Sequence, residues 1–395
     1  MEFLGFPRPD GSVGIRNYVL VIPSGLIATK ICESVNGVRT IVTANFALGC
    51  TARDRQTVAR TIVGLGANPN VAAVIVHNGS PGSDYPELSA EALASQIAKT
   101  GKPVEVLDVA REGGAFEAIA RGVKVARHLV HQASRMRREP FGLDKLCLGV
   151  KCGWSDPTSG MAGNPAIGYL FDRIVDAGGT ALFGETTEII GAEHVLARRA
   201  ANEQVAKAIL DAADFIDRRA LATGEDIRTV NPIPANIEAG ISTLEEKSLG
   251  AIHKAGSRPI QGVLKYGERP PGKGLYFVDN WASHLSIYLG YAAAGAQMGI
   301  FQLGGAGMPN LWVLNPSASA IAPLIWTTAN PTTYSRCEGS IDFYAGTVIE
   351  GKETPEEAGE RLLRVVVEIA SGALACSETL NYVEPADYYL LDPVF

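Results

Sequence analysis

Short, continuous apolar runs separated by helical patterns constrain this chain more than any other feature. The runs are Tyr18-Val19-Leu20-Val21-Ile22-Pro23, Thr40-Ile41-Val42, Val71-Ala72-Ala73-Val74-Ile75-Val76 and Val104-Glu105-Val106-Leu107, with helical patterns near 53–64 and 86–100 between them. A strand that is apolar on both faces belongs in a sheet covered on both faces, and parallel sheets with crossover helices provide that cover. The first region is therefore expected to be α/β.

A helical pattern from Gly114 ends in Arg135-Met136-Arg137-Arg138, and Glu139-Pro140-Phe141-Gly142 then reads as a boundary. A second series opens with Leu146-Cys147-Leu148-Gly149-Val150. It continues with helices near 165–177 and 191–222 and apolar runs at 179–183, 261–264, 275–278 and 298–302. The chain of 395 residues exceeds what one core usually supports. Two α/β domains with largely parallel sheets flanked by helices are expected, at 1–138 and 145–395. The turn-rich stretch 224–243 interrupts the second, and a long loop inside a compact domain is usually functional or flexible.

The net charge of −7 would repel a phosphate backbone, and no basic stripe interleaved with aromatics is present, so nucleic acid is not an expected partner. There is no signal-peptide pattern and no run of about 18 apolar residues, which leads to the expectation of a cytoplasmic protein without a membrane partner. The six cysteines are widely scattered and do not read as a disulfide framework.

Loops at the carboxyl ends of parallel strands line the crevice where such sheets bind ligands. One of them, Lys151-Cys152-Gly153-Trp154-Ser155-Asp156-Pro157-Thr158-Ser159-Gly160, offers small residues for close approach, hydroxyls, and a lysine that can pair with a carboxylate. A well-capped strand-to-helix turn would use the same residue types. The next, Gly184-Glu185-Thr186-Thr187-Glu188-Ile189-Ile190-Gly191-Ala192-Glu193-His194, places three carboxylates and a histidine within ten positions, enough for metal ligands or for a general acid and base. Glu193 and His194 are adjacent and point apart on a helix. Glu188 equally suits a first helical turn through the backbone dipole, and Arg198-Arg199 suits either a substrate carboxylate or a solvated face.

Cys50, in Asn45-Phe46-Ala47-Leu48-Gly49-Cys50, and Cys152 could share a metal, with His77 of His77-Asn78-Gly79-Ser80 as a further ligand or base. Buried, inert thiols and a hydrogen-bonded histidine account for the same residues. Phe301-Gln302-Leu303-Gly304-Gly305-Ala306-Gly307 lacks the spacing and the lysine of a nucleotide loop, so no nucleotide cofactor is read here.

At these residues the chain resembles the altronate/galactarate dehydratase family, which also includes the large subunit of sulfolactate sulfo-lyase. The resemblance runs over nearly the whole chain. It rests on Arg8-Pro9-Asp10-Gly11 with Val13-Gly14-Ile15-Arg16-Asn17, Cys152-Gly153 with Ser155-Asp156, Ser159-Gly160 and Asn164-Pro165, Glu185-Thr186 with Glu188, Gly191-Ala192-Glu193-His194 and Arg198-Arg199, Asn231-Pro232 with Asn236, and Glu246-Lys247-Ser248-Leu249-Gly250.

The resemblance implies a lyase acting on a hydroxylated carboxylate such as an aldonate or aldarate, giving a 2-keto-3-deoxy acid. It also implies a divalent metal, iron(II) or else manganese(II). His194 or Lys151 is then the expected base, and Glu185 or Glu188 a metal ligand or acid. Arg16 or Lys247 is the expected carboxylate anchor, with Asn17, Ser155, Asp156, Ser159, Asn164, Arg198 and Asn236 as further substrate contacts. Cys50, His77, Cys152 and Glu193 are the expected metal ligands, and Asp279 and Asp342 enter as pocket residues on the same ground.

The chain departs from the family at three places. A histidine near the first cysteine loop, a Gly-Leu-Gly-Cys-Glu and a Thr-Thr-Gly-Arg-Gly are replaced by Asn45-Phe46, His77-Asn78-Gly79-Ser80-Pro81 and Gln302-Leu303-Gly304-Gly305-Ala306-Gly307. A cysteine, an acid and an arginine are thereby missing, and the metal is either relocated to His77 or lost. The family's small N-terminal domain is also absent, which predicts a separate small subunit, and a homo-oligomer is expected. A carbon-sulfur lyase releasing sulfite and a non-catalytic hydroxy-acid-binding protein are the alternative readings.

Overall fold

The computed structural model describes residues 1–43, 47–307, 319–380 and 382–395. Its apolar runs form two all-parallel sheets. In the four-stranded sheet Tyr18–Ile22 lies between Val38–Arg39 and Val71–His77, with Val104–Leu107 outside the latter. The run 40–42 adds no strand of its own. The Val42 carbonyl accepts instead from Ala386 N at 2.6 Å, so the C-terminal segment takes the backbone group that a sheet neighbour would use.

The seven-stranded sheet runs Ile260–Leu264, Gly274–Val278, Thr180–Phe183, Cys147–Gly153, Met298–Leu303, Leu324–Thr328, Phe343–Tyr344. Every pairing is parallel. Its first strand in sequence, Cys147–Gly153, is central. The next three strands build out on one side and the last three on the other. The order therefore reverses between Cys147–Gly153 and Met298–Leu303, and sheets of this kind bind ligands beyond the carboxyl ends of the strands at such a point.

A third, antiparallel sheet centres on Glu2–Pro7, flanked by Val13–Gly14 and Glu139–Gly142. The segment that reads as a boundary is thus an edge strand, where Pro140 costs no ladder bond. The helical pattern 191–222 divides into Glu193–Ala197 and Glu203–Leu221, because Asn202 caps a new start by accepting from Val205 N at 3.0 Å.

The two parallel sheets share a core. Leu20, Ile62 and Val74 pack in one cluster with Leu289, Ala292 and Ala293. At Gly64 a Cβ would stand 2.3 Å from the Ala293 carbonyl oxygen, so the helices Ala52–Ala67 and His284–Ala293 touch through their backbones and require glycine there. The chain end returns to the first unit, where the Asp54 carboxylate accepts from Leu391 N and Asp392 N. No helix among the described residues is long and apolar enough to cross a membrane.

Candidate active site

Two non-glycine residues adopt left-handed backbone just past neighbouring central strands: Trp154 with φ 46° after Cys147–Gly153, and Glu185 with φ 69° after Thr180–Phe183. Such conformations cost of order 1–3 kcal/mol each and persist where the surroundings dictate them. Here they swing both loops toward the crevice. Gly184 makes the second turn feasible, since a Cβ there would lie 2.5 Å from Asn280 Oδ1 and 2.7 Å from the Val278 oxygen.

Glu185 is the centre of the arrangement and is fully buried. Lys151 Nζ reaches its Oε1 at 3.1 Å, and Cys152 N donates to its Oε2 at 3.0 Å. Lys254 Nζ donates to Oε2 as well and stands 3.2 Å from Cys152 Sγ. Burial alone would raise the Glu185 pKa, but the ammonium groups of Lys151 and Lys254 hold it below the ordinary carboxylate range. Burial, reinforced by the charge of Glu185, pushes the Cys152 thiol up. Lys254 is pushed up too, because Cys152 and Glu185 outweigh the burial that would lower it. Two ammonium groups against one carboxylate leave one unbalanced positive charge, which an anionic ligand can neutralise.

A second pair lies beside the first. Lys247 Nζ is 3.3 Å from Glu188 Oε2 and donates to Asn231 Oδ1 at 2.6 Å. Asn236 Nδ2 donates to the Ser155 carbonyl at 2.8 Å, tying the turn-rich loop to the strand-end loop. Asp156 links the two halves of the crevice, accepting from Gly305 N at 2.9 Å and Asn330 Nδ2 at 2.7 Å, and from Thr158 and Ser159 within its own loop. Asn164 donates to the Gly250 carbonyl at 2.9 Å, and its Oδ1 has no hydrogen-bond partner among the described residues. The structure thus gathers Lys151, Cys152, Ser155, Asp156, Ser159, Asn164, Glu185, Glu188, Asn236 and Lys247 in the loops at the carboxyl ends of the central strands and the segments tied to them.

The remaining expected site residues lie elsewhere. His194 and Arg198 are exposed on the short helix Glu193–Ala197 and its end, and their side chains have no hydrogen bond or ion pair among the described residues. The Arg16 guanidinium is saturated by Glu378, at 2.6 and 2.7 Å, and by the carbonyls of Ile15, Ile369 and Ala373. Asn17 bonds Arg8 and the Ala133 carbonyl. Asp342 accepts from Trp326 N and Cys376 N, whereas Asp279 stays beside the cluster, accepting from Thr186, the neighbour of Glu185.

The four residues expected to hold a metal do not form one donor set. Glu193 accepts from Gly191 N, His77 uses both ring nitrogens on the backbone of Pro23 and Gly79, and Cys152 faces Lys254, while Cys50 is buried in a different loop. No group of three His, Cys, Asp or Glu side chains able to hold a metal occurs among the described residues. Residues 44–46, 308–318 and 381 contain none of these types. Asn45 and Phe46, where the family carries a histidine, lie outside the described residues. Iron does not fit this arrangement of side chains.

Lys254, Asn231 and His284 escape the site expected from sequence. Lys254 follows Lys247 by seven residues, two helical turns, so the spacing alone puts both on one face. A lysine at a helix end, however, ordinarily reads as a solvated partner of the helix dipole. His284 lies in Asp279-Asn280-Trp281-Ala282-Ser283-His284, just past the apolar run 275–278, where the strand-end rule would have found it.

Residues 143–389 match the model of the D-galactarate/altronate dehydratase C-terminal domain, and residues 5–134 that of the D-galactarate dehydratase/altronate hydrolase second domain. The chain is 35% identical to the (2R)-sulfolactate sulfo-lyase subunit beta of Chromohalobacter salexigens, over 97% of this chain and 96% of that protein. It is 30% identical to the altronate dehydratase of Bacillus subtilis, over 97% of this chain and 77% of that protein. It is 30% identical to the galactarate dehydratase of Escherichia coli, over 79% and 59%. The chain belongs to the D-galactarate/altronate dehydratase family and is a lyase.

Proposed function

We propose that this chain eliminates water from a small hydroxy-carboxylate to give a 2-keto-3-deoxy acid. The observation that carries the reading is the convergence of Lys151 and Lys254 on Glu185 at the point where the strand order of the sheet reverses. Removing a proton beside a carboxylate builds a second negative charge on it, and catalysis needs preorganised positive charge at that place. At about 4 Å and an effective dielectric of about 20, one ammonium contributes on the order of 4 kcal/mol of attraction. Lys151 and Lys247 keep side-chain exposures of 8% and 9% against 2% for Lys254, so they are the cations an entering substrate meets first. In this reading the Lys247–Glu188 pair borders the substrate. The implied iron is not carried into this reading, because its expected ligands do not meet.

A second reading, sulfite release from a sulfolactate-like substrate, is favoured by the near-complete correspondence with a protein named as a sulfo-lyase subunit beta. The same correspondence supports a partner subunit, since that protein is named as one subunit of its enzyme.

The test is an anaerobic assay of the chain against aldonates, aldarates, shorter hydroxy acids and sulfolactate, following 2-keto acid and sulfite together. Keto acid without sulfite is the expected result. Sulfite in step with keto acid would replace dehydration by the second reading. No product from any compound, repeated with a native complex of measured mass, would overturn both.

A further inference from the structure

The loop after Gly274–Val278 is tied to the buried cluster, since Asn280 Oδ1 accepts from Glu185 N at 2.8 Å. It delivers His284 to the first position of the helix His284–Ala293. The His284 ring stacks on Phe301, with centroids 6.3 Å apart and planes 28° apart. Trp154 stacks on the same ring at 5.8 Å, and Lys151 Nζ stands 5.0 Å from its centroid. His284 and Lys151 therefore border one aromatic ring at the carboxyl end of Met298–Leu303.

Of the six histidines, His284 alone combines this position with free nitrogens. His77 spends both nitrogens on the backbone, and His128, His131, His194 and His253 are exposed. His284 is half-buried, and neither of its nitrogens takes part in a hydrogen bond or ion pair among the described residues. Burial, with the charge of Lys151 adding to it, holds its imidazole down at about 4, so it is uncharged at neutral pH.

We infer that His284 accepts the α-proton of the substrate in the elimination, from its place on the Phe301 ring that Lys151 also borders. The inference rests on the lyase reading above. In the step the C2–H bond breaks, the proton goes to an imidazole nitrogen, and the electron pair enters the C1–C2 bond as an aci-carboxylate opposite Lys151. The C1–C2 pair then moves into C2–C3 as the C3–O bond breaks with its pair on oxygen, and that oxygen takes the proton from the His284 imidazolium and leaves as water. The resulting enol becomes the 2-keto acid. An anionic substrate on Lys151 offsets the charge that depresses His284 and so makes the imidazole a better base once the complex has formed.

The test combines kinetics with a binding signal. His284→Asn is expected to lower kcat by roughly 10²- to 10⁴-fold, the usual share of a general base, with KM within about threefold. Independently of turnover, the Cε1–H resonance of His284 in the unaltered chain, assigned by its loss in whichever of H284N and H284Q folds, is expected to move when malate or glycerate is added. Turnover that survives in H284N at near wild-type kcat, or a resonance that neither acid moves, would overturn the assignment. A moved resonance in a wild-type chain that turns over nothing would sink the lyase reading, and the proton transfer with it. Loss of turnover confined to H284N would leave the lyase reading intact and support His284.

Discussion

The Lys254 ammonium stands 3.2 Å from the Cys152 sulfur and, from the same position, bonds the Glu185 carboxylate. A thiol and a carboxylate converging at a strand end would commonly be read as two ligands of a metal ion. Here the positive charge between them is a side chain of the protein. With Lys151 on the other carboxylate oxygen, two ammonium groups flank one carboxylate, and Glu185 can remain ionised although no part of it reaches solvent.

Replacing Lys254 by methionine keeps most of the volume and removes that charge. Breaking a buried pair by deleting one partner costs about 3–5 kcal/mol, because the other charge is left without compensation. Lys254→Met is therefore expected to lose on the order of 3 kcal/mol of unfolding free energy in urea and to give no measurable keto acid. Wild-type stability together with wild-type turnover would show that the pairing with Glu185 matters for neither.

Chelation separates the two ways of supplying positive charge. Because Cys50, His77, Cys152 and Glu193 do not form a donor set, dialysis against a strong chelator is expected to leave turnover unchanged, and metal analysis is expected to find less than one iron per chain. Activity that disappears on dialysis and returns with iron(II) would show that a metal is held by ligands other than these four.

Much of this was legible in the sequence. The apolar runs mark nearly all of the longer parallel strands, because a strand buried on both faces is apolar along its whole length. The strand-end rule leads to Lys151, Cys152 and Glu185. What the sequence could not convey is convergence. Lys254 is 69 positions from Glu185, and nothing local distinguishes a lysine that folds inward from one in solvent. Arg16 shows the reverse error, for its place in a family motif suggests a ligand, while its five donor contacts bind the chain to itself. Pro140 conceals a strand for a third reason, since the residue type that ends an inner strand is harmless at an edge.

His77 links the fold to pH. Burial holds its imidazole at about 4 against an ordinary value of 6.5. Below pH 6.5 the unfolded chain binds a proton that the folded chain refuses, so stability falls as pH drops from 6.5 toward 4 and is fully present above 6.5. The two values imply a loss of about 3 kcal/mol from this residue over that window. His77→Gln is expected to be less stable at pH 7 yet to lose less between pH 7 and pH 5 than the unaltered chain, as measured by urea midpoints. Parallel declines in the two proteins would remove His77 from the acid response.

Lys247 and Arg16 are the two cations expected from sequence to anchor a substrate carboxylate, and the structure separates their consequences. Arg16 is bound by Glu378 and three backbone carbonyls, with both side chains largely buried. Arg16→Ala should cost about 3–5 kcal/mol of stability through the stranded Glu378, and leave KM unchanged in whatever fraction folds. Lys247 lies beside Glu188 and Asn231 and keeps some exposure. A hydrogen bond to a charged partner contributes about 1.5–3 kcal/mol, so Lys247→Met should raise KM roughly 10- to 100-fold. If the lysine holds the carboxylate equally in ground and transition states, kcat should change little. Steady-state kinetics of the two variants on one substrate decide the matter. A raised KM in R16A with an unaltered one in K247M would return the anchor to Arg16 and place the substrate outside the crevice described above.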